Sequence, residues 1–175
     1  IFFAPIPTMV VVTAVLTSIY FLDMIFNAFF VTRSLKTPPE VSFSLAEISR
    51  VQDENLPVYS ILCPLYREAH ILPGFIEAIG KIDWPKEKLE VLLLLEENDE
   101  ETILAARSGN LPDFVRIVVV PHSEPKTKPK ACNFGLSLAT GEYVVIYDAE
   151  DIPDPLQLKK AYLGFQSLSR DVWCL

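Results

Sequence analysis

"VVIYDAEDIPDP", residues 144–155, decides how this chain is read. Four residues suited to a buried strand run straight into Asp148, Glu150 and Asp151, and Pro153 and Pro155 follow. At separations of about 5–6 Å and an effective dielectric near 20, each like-charge pair costs on the order of 3 kcal/mol. A strand that ends in crowded carboxylates is therefore expected to meet positive charge there.

Outward from this stretch the chain keeps a rhythm. Strands are expected at "VYSILC" (58–63), "VLLLL" (91–95), "VRIVVV" (115–120) and "YVVIYD" (143–148), with "VWCL" (172–175) beginning a fifth. Helices are expected between them. "ILPGFIEAIG" (71–80) has helical spacing, and "DEETILAARS" (99–108) has acids at its start and Arg107 in its last turn, which suits the helix dipole. "PKACNFGLSLATG" (129–141) carries Pro129 near its first position and Gly141 just past its end, and "PLQLKKAYLGFQSL" (155–168) closes the series. Alternation of this kind predicts an α/β fold with a largely parallel sheet flanked by helices. "VLLLL" and "RIVVV" lack polar alternation, as strands buried on both faces do.

In such a sheet the ligand crevice lies beyond the carboxyl ends of the strands. Those ends read "CPLYREAH", "EENDEE", "PHSEPKTKPK" and "DAED". Three present acids, and the third presents Lys126, Lys128 and Lys130. This arrangement suits a polyanion carried with a divalent metal: carboxylates hold Mg²⁺ or Mn²⁺ through oxygen, and phosphates complete the shell. The lysines and the helix start near Pro129 add positive potential opposite. His70 and His122 read as surface or turn residues.

Residues 9–31, "MVVVTAVLTSIYFLDMIFNAFFV", hold thirteen Val, Leu, Ile or Phe and one charge, Asp23. As a helix the run reaches about 35 Å, enough to cross a hydrocarbon core of about 30 Å. Its apolar residues contribute roughly −5 kcal/mol to insertion against roughly +3 for Asp23. One transmembrane helix is expected, with Asp23 and Asn27 at helical spacing toward a neighbouring membrane helix. Arg33 and Lys36 follow the span and place the rest of the chain in the cytoplasm. The expected division is a membrane span and flank over 1–36, a linker over 37–57 with one short helix near 44–50, and an α/β domain over 58–175.

The formal net charge of −8 falls almost entirely after residue 36. An acidic domain lacks the basic footprint that general nucleic-acid binding needs, so no nucleic-acid partner is expected. Cys63, Cys132 and Cys174 form no CxxC pair or metal-ligand spacing and read as reduced thiols.

From about Val58 to Gln166 the chain resembles family 2 glycosyltransferases, specifically the membrane-anchored, synthase-like group that includes cellulose and cyclic-glucan synthases. The resemblance is carried by "SILCPLYREAHIL", "IDWPKEKLEVLLLLEENDEET", "KPKACNFGLSLATGEYVVIYDAED" and "PDPLQLKKA". It implies a GT-A type fold that binds a nucleotide-diphosphate sugar, with a UDP-sugar as the expected donor. By that resemblance Tyr66 and Glu68 lie where the first strand's end meets the nucleotide. Glu96, with Glu97 beside it, takes the place of an acid that contacts the base. Lys130 and Asn133 belong to a "KAxN"-like segment beside the donor. Asp148 and Glu150 take the places of the DxD acids, the first toward nucleotide or sugar and the second toward metal and diphosphate.

Two departures stand out. The motif reads Asp-Ala-Glu, so the metal ligand is one methylene longer or Asp151 substitutes for it, and Glu96 stands where many relatives carry Asp. The resemblance further implies inverting, metal-dependent transfer to a glycan or lipid-linked acceptor at a bacterial inner membrane. Its catalytic base belongs to a later "TED"-type segment, followed by a "QxxRW"-type segment, and neither occurs in these 175 residues. The chain starts without Met and stops within an apparent strand, so a truncated, donor-binding half is expected, with little or no turnover by itself.

Other classes fit less well. A sugar-nucleotide-forming nucleotidyltransferase wants a Gly-rich basic loop where "PLYREAH" stands, and a phospho-receiver wants an acceptor Asp where "RIVVV" meets Pro121. A membrane-tethered nucleotide-binding module without turnover is the remaining alternative.

Overall fold

The computed structural model describes residues 5–36, 41–168, 172 and 174. The chain divides into two compact units, Ile1–Ser42 and Phe43–Leu175.

The first unit is one helix, α1 (Pro5–Lys36). Pro5 and Pro7 fall in its first turn, where backbone N–H groups have no helical acceptor in any case. From Pro5 to Leu35 it is long and apolar enough to cross a membrane, and none of its apolar window is buried.

The second unit is a four-stranded parallel sheet in the order β3-β2-β1-β4. The strands are β1 (Tyr59–Leu65), β2 (Leu89–Glu96), β3 (Val115–Val120) and β4 (Tyr143–Ile146). The register aligns Leu65 with Leu95, Glu96 with Val120, and Leu62 with Ile146. The central strands β1 and β2 are buried nearly throughout, as their unbroken apolar runs require. Helices α3 (Leu72–Gly80), α4 (Glu100–Ser108) and α6 (Gln157–Ser167) contribute Phe75, Ile79, Ile103 and Leu158 to one face of the sheet. Helix α5 (Lys128–Leu136) covers the other face with Ala131 and Cys132 against Leu62, Leu92 and Leu94. The expected fifth strand falls largely outside the described residues.

Two expectations shift for physical reasons. Residues 43–57, read as linker, join the α/β unit because Ile48 and Leu56 bury their side chains. The short helix foreseen there is α2 (Leu45–Ile48), closed by a capping box between Ser44 and Glu47. Helix α5 also stops at Leu136 rather than running on toward Gly141. Beyond its end, the Thr140 N–H donates to Glu90 Oε2 at 2.8 Å and the Gly141 N–H to Ser60 Oγ at 2.9 Å. These bonds draw the chain into the extended approach to β4. A Cβ on Gly141 would lie 2.6 Å from both the nitrogen and the hydroxyl of Ser60, so only glycine fits.

Candidate functional site

The sheet order reverses between β1 and β4: β2 and β3 lie to one side of β1, and β4 to the other. Ligands of open α/β sheets bind at such a point, beyond the carboxyl ends of the strands. A crevice of about 300 Å³ opens beyond the carboxyl ends of β1 and β2, beside the start of α5, and no described residue of β4 or of the segment after it lines this crevice. Its polar lining is Tyr66, Glu68, Lys126 and Lys128 together with the buried Glu96, and its apolar lining includes Leu65, Leu94 and Ala131. Three of the residues implied as donor-binding, Tyr66, Glu68 and Glu96, thus share one cavity. Tyr66 carries two cations over its ring, Arg67 at 5.2 Å and Lys126 at 5.9 Å.

Helix α5 delivers the lysines. Pro129 sits in its first turn, and the Thr127 side chain caps it by accepting the Lys130 N–H. Gly135 sets how closely the helix approaches the sheet, since a Cβ there would fall 2.7 Å from both methyl carbons of Leu94. From this start two lysines reach different carboxylates. Lys130 Nζ meets Glu96 Oε2 at 2.9 Å, a pair of which 20% and 7% of the respective side chains stay exposed. Lys128 Nζ meets Asp148 Oδ1 at 2.8 Å, with 62% and 42% exposed. That contact raises the Lys128 pKa above its ordinary value, through the hydrogen bond Lys128 donates to Asp148 and through that carboxylate's charge.

The segment after β4 resolves its own crowding. Asp151 Oδ2 accepts the Asp148 N–H at 2.8 Å, and the Asp151 N–H donates to the Asp148 carbonyl at 3.0 Å, closing a turn. Ala149 is buried within it, while Glu150 and Asp151 are exposed. One carboxylate is thus offset by Lys128 and another by a backbone donor. Among the described residues, no group of three His, Cys, Asp or Glu side chains is arranged to hold a metal. Asp148 and Glu150 nonetheless offer carboxylate oxygens alone, a donor set that fits Mg²⁺ or Mn²⁺ when phosphates complete the shell. Asp151, expected as a third ligand, has one oxygen committed to the turn. Asn133 is exposed on α5 and does not line the crevice.

Asp99, in sequence part of an acidic helix start, is 95% buried and joins two strand ends. It caps α4 by accepting the Thr102 N–H and also accepts the N–H of Arg67, whose φ of 58° lies in the left-handed region. Burial alone pushes its carboxyl pKa up, but these donors outweigh that and hold it below the usual range. Asp99 therefore shapes the loop that presents Tyr66 and Glu68. The available signal was an Asp immediately before a helix. Lys128 was expected as one of three lysines, but its pairing with Asp148 was not.

A parallel α/β sheet with lysines and carboxylates lining one crevice beyond its strand ends is an arrangement suited to phosphorylated ligands. The family model described as Glycosyl transferase family 2 matches residues 60–175, and the chain belongs to that family. It is 24% identical over 116 residues to the probable glycosyltransferase YdaM of Bacillus subtilis (strain 168), covering 65% of this chain and 28% of that protein. Over 109 residues it is 28% identical to the cellulose synthase catalytic subunit [UDP-forming] of Pseudomonas fluorescens (strain SBW25), covering 59% of this chain and 14% of that one. The fold is similar to the mannosyltransferase PcManGT of Pyrobaculum calidifontis, solved with GDP-Man and Mn²⁺. The TM-score is 0.63 and the identity 28%, over 87% of this chain and 42% of that one. The fold is thus of GT-A type, and the chain spans under a third of the curated relatives' length.

Proposed function

We propose that this chain is the donor-binding part of a metal-dependent, inverting glycosyltransferase of the membrane-anchored, synthase-like group. Its donor is a nucleoside-diphosphate sugar, read as a UDP-sugar, and its acceptor a glycan or lipid-linked hydroxyl. The site works on the cytoplasmic side of a bacterial inner membrane, to which α1 tethers it. The observation that carries this reading is the crevice itself, where Lys126 and Lys128 share one lining with Tyr66, Glu68 and Glu96.

In this reading Tyr66 and Glu96 bound the nucleotide end, and Lys126 and Lys128 face the diphosphate. Lys128 pairs with Asp148 where both are well exposed, and such pairs contribute about 0–1 kcal/mol. A phosphate can therefore take Lys128 at little cost, freeing Asp148. Asp148 and Glu150 would hold Mg²⁺ or Mn²⁺, which when bound supplies Lewis-acid stabilisation of charge on the diphosphate. The Lys130–Glu96 pair stays in place and fixes the wall. Support for a metal comes from the Mn²⁺ in the PcManGT complex, and support for UDP from the UDP-forming cellulose synthase relative.

Titration calorimetry of the full chain with UDP, with and without Mn²⁺, tests the reading. Binding is expected to need the metal and to disappear in Asp148→Ala. Metal-independent binding would favour a tethered nucleotide-binding module without turnover, and no binding by a folded sample would remove the assignment.

A further inference from the structure

Helix α1 is not uniformly apolar around its circumference. At 3.6 residues per turn, Thr13, Thr17, Tyr20, Asp23 and Asn27 fall within an arc of about 120° and along about 21 Å of its length. Val11, Leu22 and Phe29 mark the opposite side. The polar residues off this arc behave differently from those on it. Ser18 Oγ donates to the Ala14 carbonyl at 2.8 Å, and Thr32 Oγ1 to the Ala28 carbonyl at 2.9 Å, so both close onto their own helix. On the arc, Asn27 Nδ2 donates to Asp23 Oδ2 at 2.9 Å and to the Asp23 carbonyl at 3.0 Å. Among the described residues no hydrogen bond satisfies Asp23 Oδ1 or the hydroxyls of Thr13 and Thr17.

We propose that this arc is a packing face for a second membrane helix that brings hydrogen-bond donors, amide or basic, opposite Asp23. The inference rests on α1 spanning a membrane. In hydrocarbon an unpaired polar group is costly, and polar side chains of membrane helices turn toward protein or water. Asp23 is an acceptor already fixed in direction by Asn27, so what it lacks is a donor. A two-fold pair of identical helices would set Asp23 against Asp23, acceptor against acceptor. A different helix with donor side chains meets the requirement, while Thr13 and Thr17 extend the contact with small hydroxyls that allow close approach.

Spin-label accessibility in the full-length protein tests this. Single cysteines replace Thr17, Tyr20 and Asn27 on the arc, and Val11, Leu22 and Phe29 opposite it, with Cys174→Ser as background. Cys63 and Cys132 are buried, their thiol pKa values raised by burial first. The protein is extracted in polymer-bounded patches of its own membrane, which keep neighbouring helices. Oxygen, concentrated in lipid, and an aqueous nickel complex serve as relaxing agents. The arc positions are expected to be several-fold less accessible to oxygen than the opposite face and equally closed to nickel. Asp23→Leu is expected to raise oxygen access at position 20 to the level of the opposite face. Equal oxygen access on both faces would overturn the packing face while leaving the span intact. So would nickel access confined to the arc, which would mark a water-filled cleft. Spin–spin broadening between labels would identify a second copy as the occupant, against the proposal. Unchanged shielding in Asp23→Leu would remove donor recognition. Nickel access at every position would show that the membrane reading itself has failed.

Discussion

Two lysines stand two residues apart at the start of α5 and make contacts of nearly equal length with different consequences. Lys130 meets Glu96 at 2.9 Å in the wall of the crevice, and Lys128 meets Asp148 at 2.8 Å on its rim. Burial separates them, and Lys130 Nζ also donates to Glu96 Oε1 at 3.3 Å and to the Ser123 carbonyl at 3.4 Å. Water and salt screen the rim pair, and holding two long side chains costs entropy, so little net stability remains. The wall pair is largely removed from water, where losing one partner strands the other. The same geometry thus gives a fixed wall in one place and an exchangeable contact in the other. A site that must accept and release a charged ligand needs both.

This contrast is open to attack by substitution. Lys130→Ala leaves Glu96 buried without its cation and is expected to cost about 3 kcal/mol, read as a lower urea midpoint at unchanged slope. Asp99→Ala, which removes the cap of α4 and the acceptor for the Arg67 N–H, is expected to cost about 2 kcal/mol and to weaken nucleotide binding through the Tyr66 loop. The Asp99 contribution also depends on pH. Its folded pKa lies below the unfolded value, so the stabilisation is present above about pH 4 and is lost as pH falls through the folded value. The difference in stability between wild type and Asp99→Ala is therefore expected to shrink in acid, and a constant difference would show that the carboxylate charge does not matter.

Tyr147→Phe removes a buried hydroxyl that has no hydrogen-bond partner among the described residues and is expected to be neutral or to stabilise by up to about 1 kcal/mol. The smallest change belongs to Lys128→Met, expected to move stability by only about 0.5 kcal/mol while reducing affinity for metal-bound UDP. A loss comparable to that of Lys130→Ala would erase the distinction between wall and rim.

The sequence made the fold readable because the apolar runs of β1 and β2 are long and unbroken, and such runs belong to strands covered on both faces. Lys126, Lys128, Asp148 and Glu150 were legible as strand-end groups for the same reason, since alternating strands and helices fix which loops share an end. What could not be read was pairing. Nothing in the order of residues says that Lys128 rather than Lys130 meets Asp148, or that Asp151 turns back to its own backbone. The lysine pairing depends on where α5 settles on the sheet, where Gly135 lets it approach Leu94 closely. The early end of α5 was hidden likewise, because Ser60 and Glu90 lie about 50 to 80 residues away in sequence from the turn they hold.

The central claim is that a metal-bound nucleoside diphosphate enters the crevice beside α5 by exchanging the rim pair and sparing the wall pair. A crystal structure of the full chain with Mn²⁺ and UDP measures this directly. Lys128 is expected to leave Asp148 for a phosphate oxygen, with Mn²⁺ beside Asp148 and Glu150, while Lys130 keeps its 2.9 Å contact with Glu96. UDP bound outside the crevice, or bound within it with the Lys128–Asp148 contact intact, would contradict the claim.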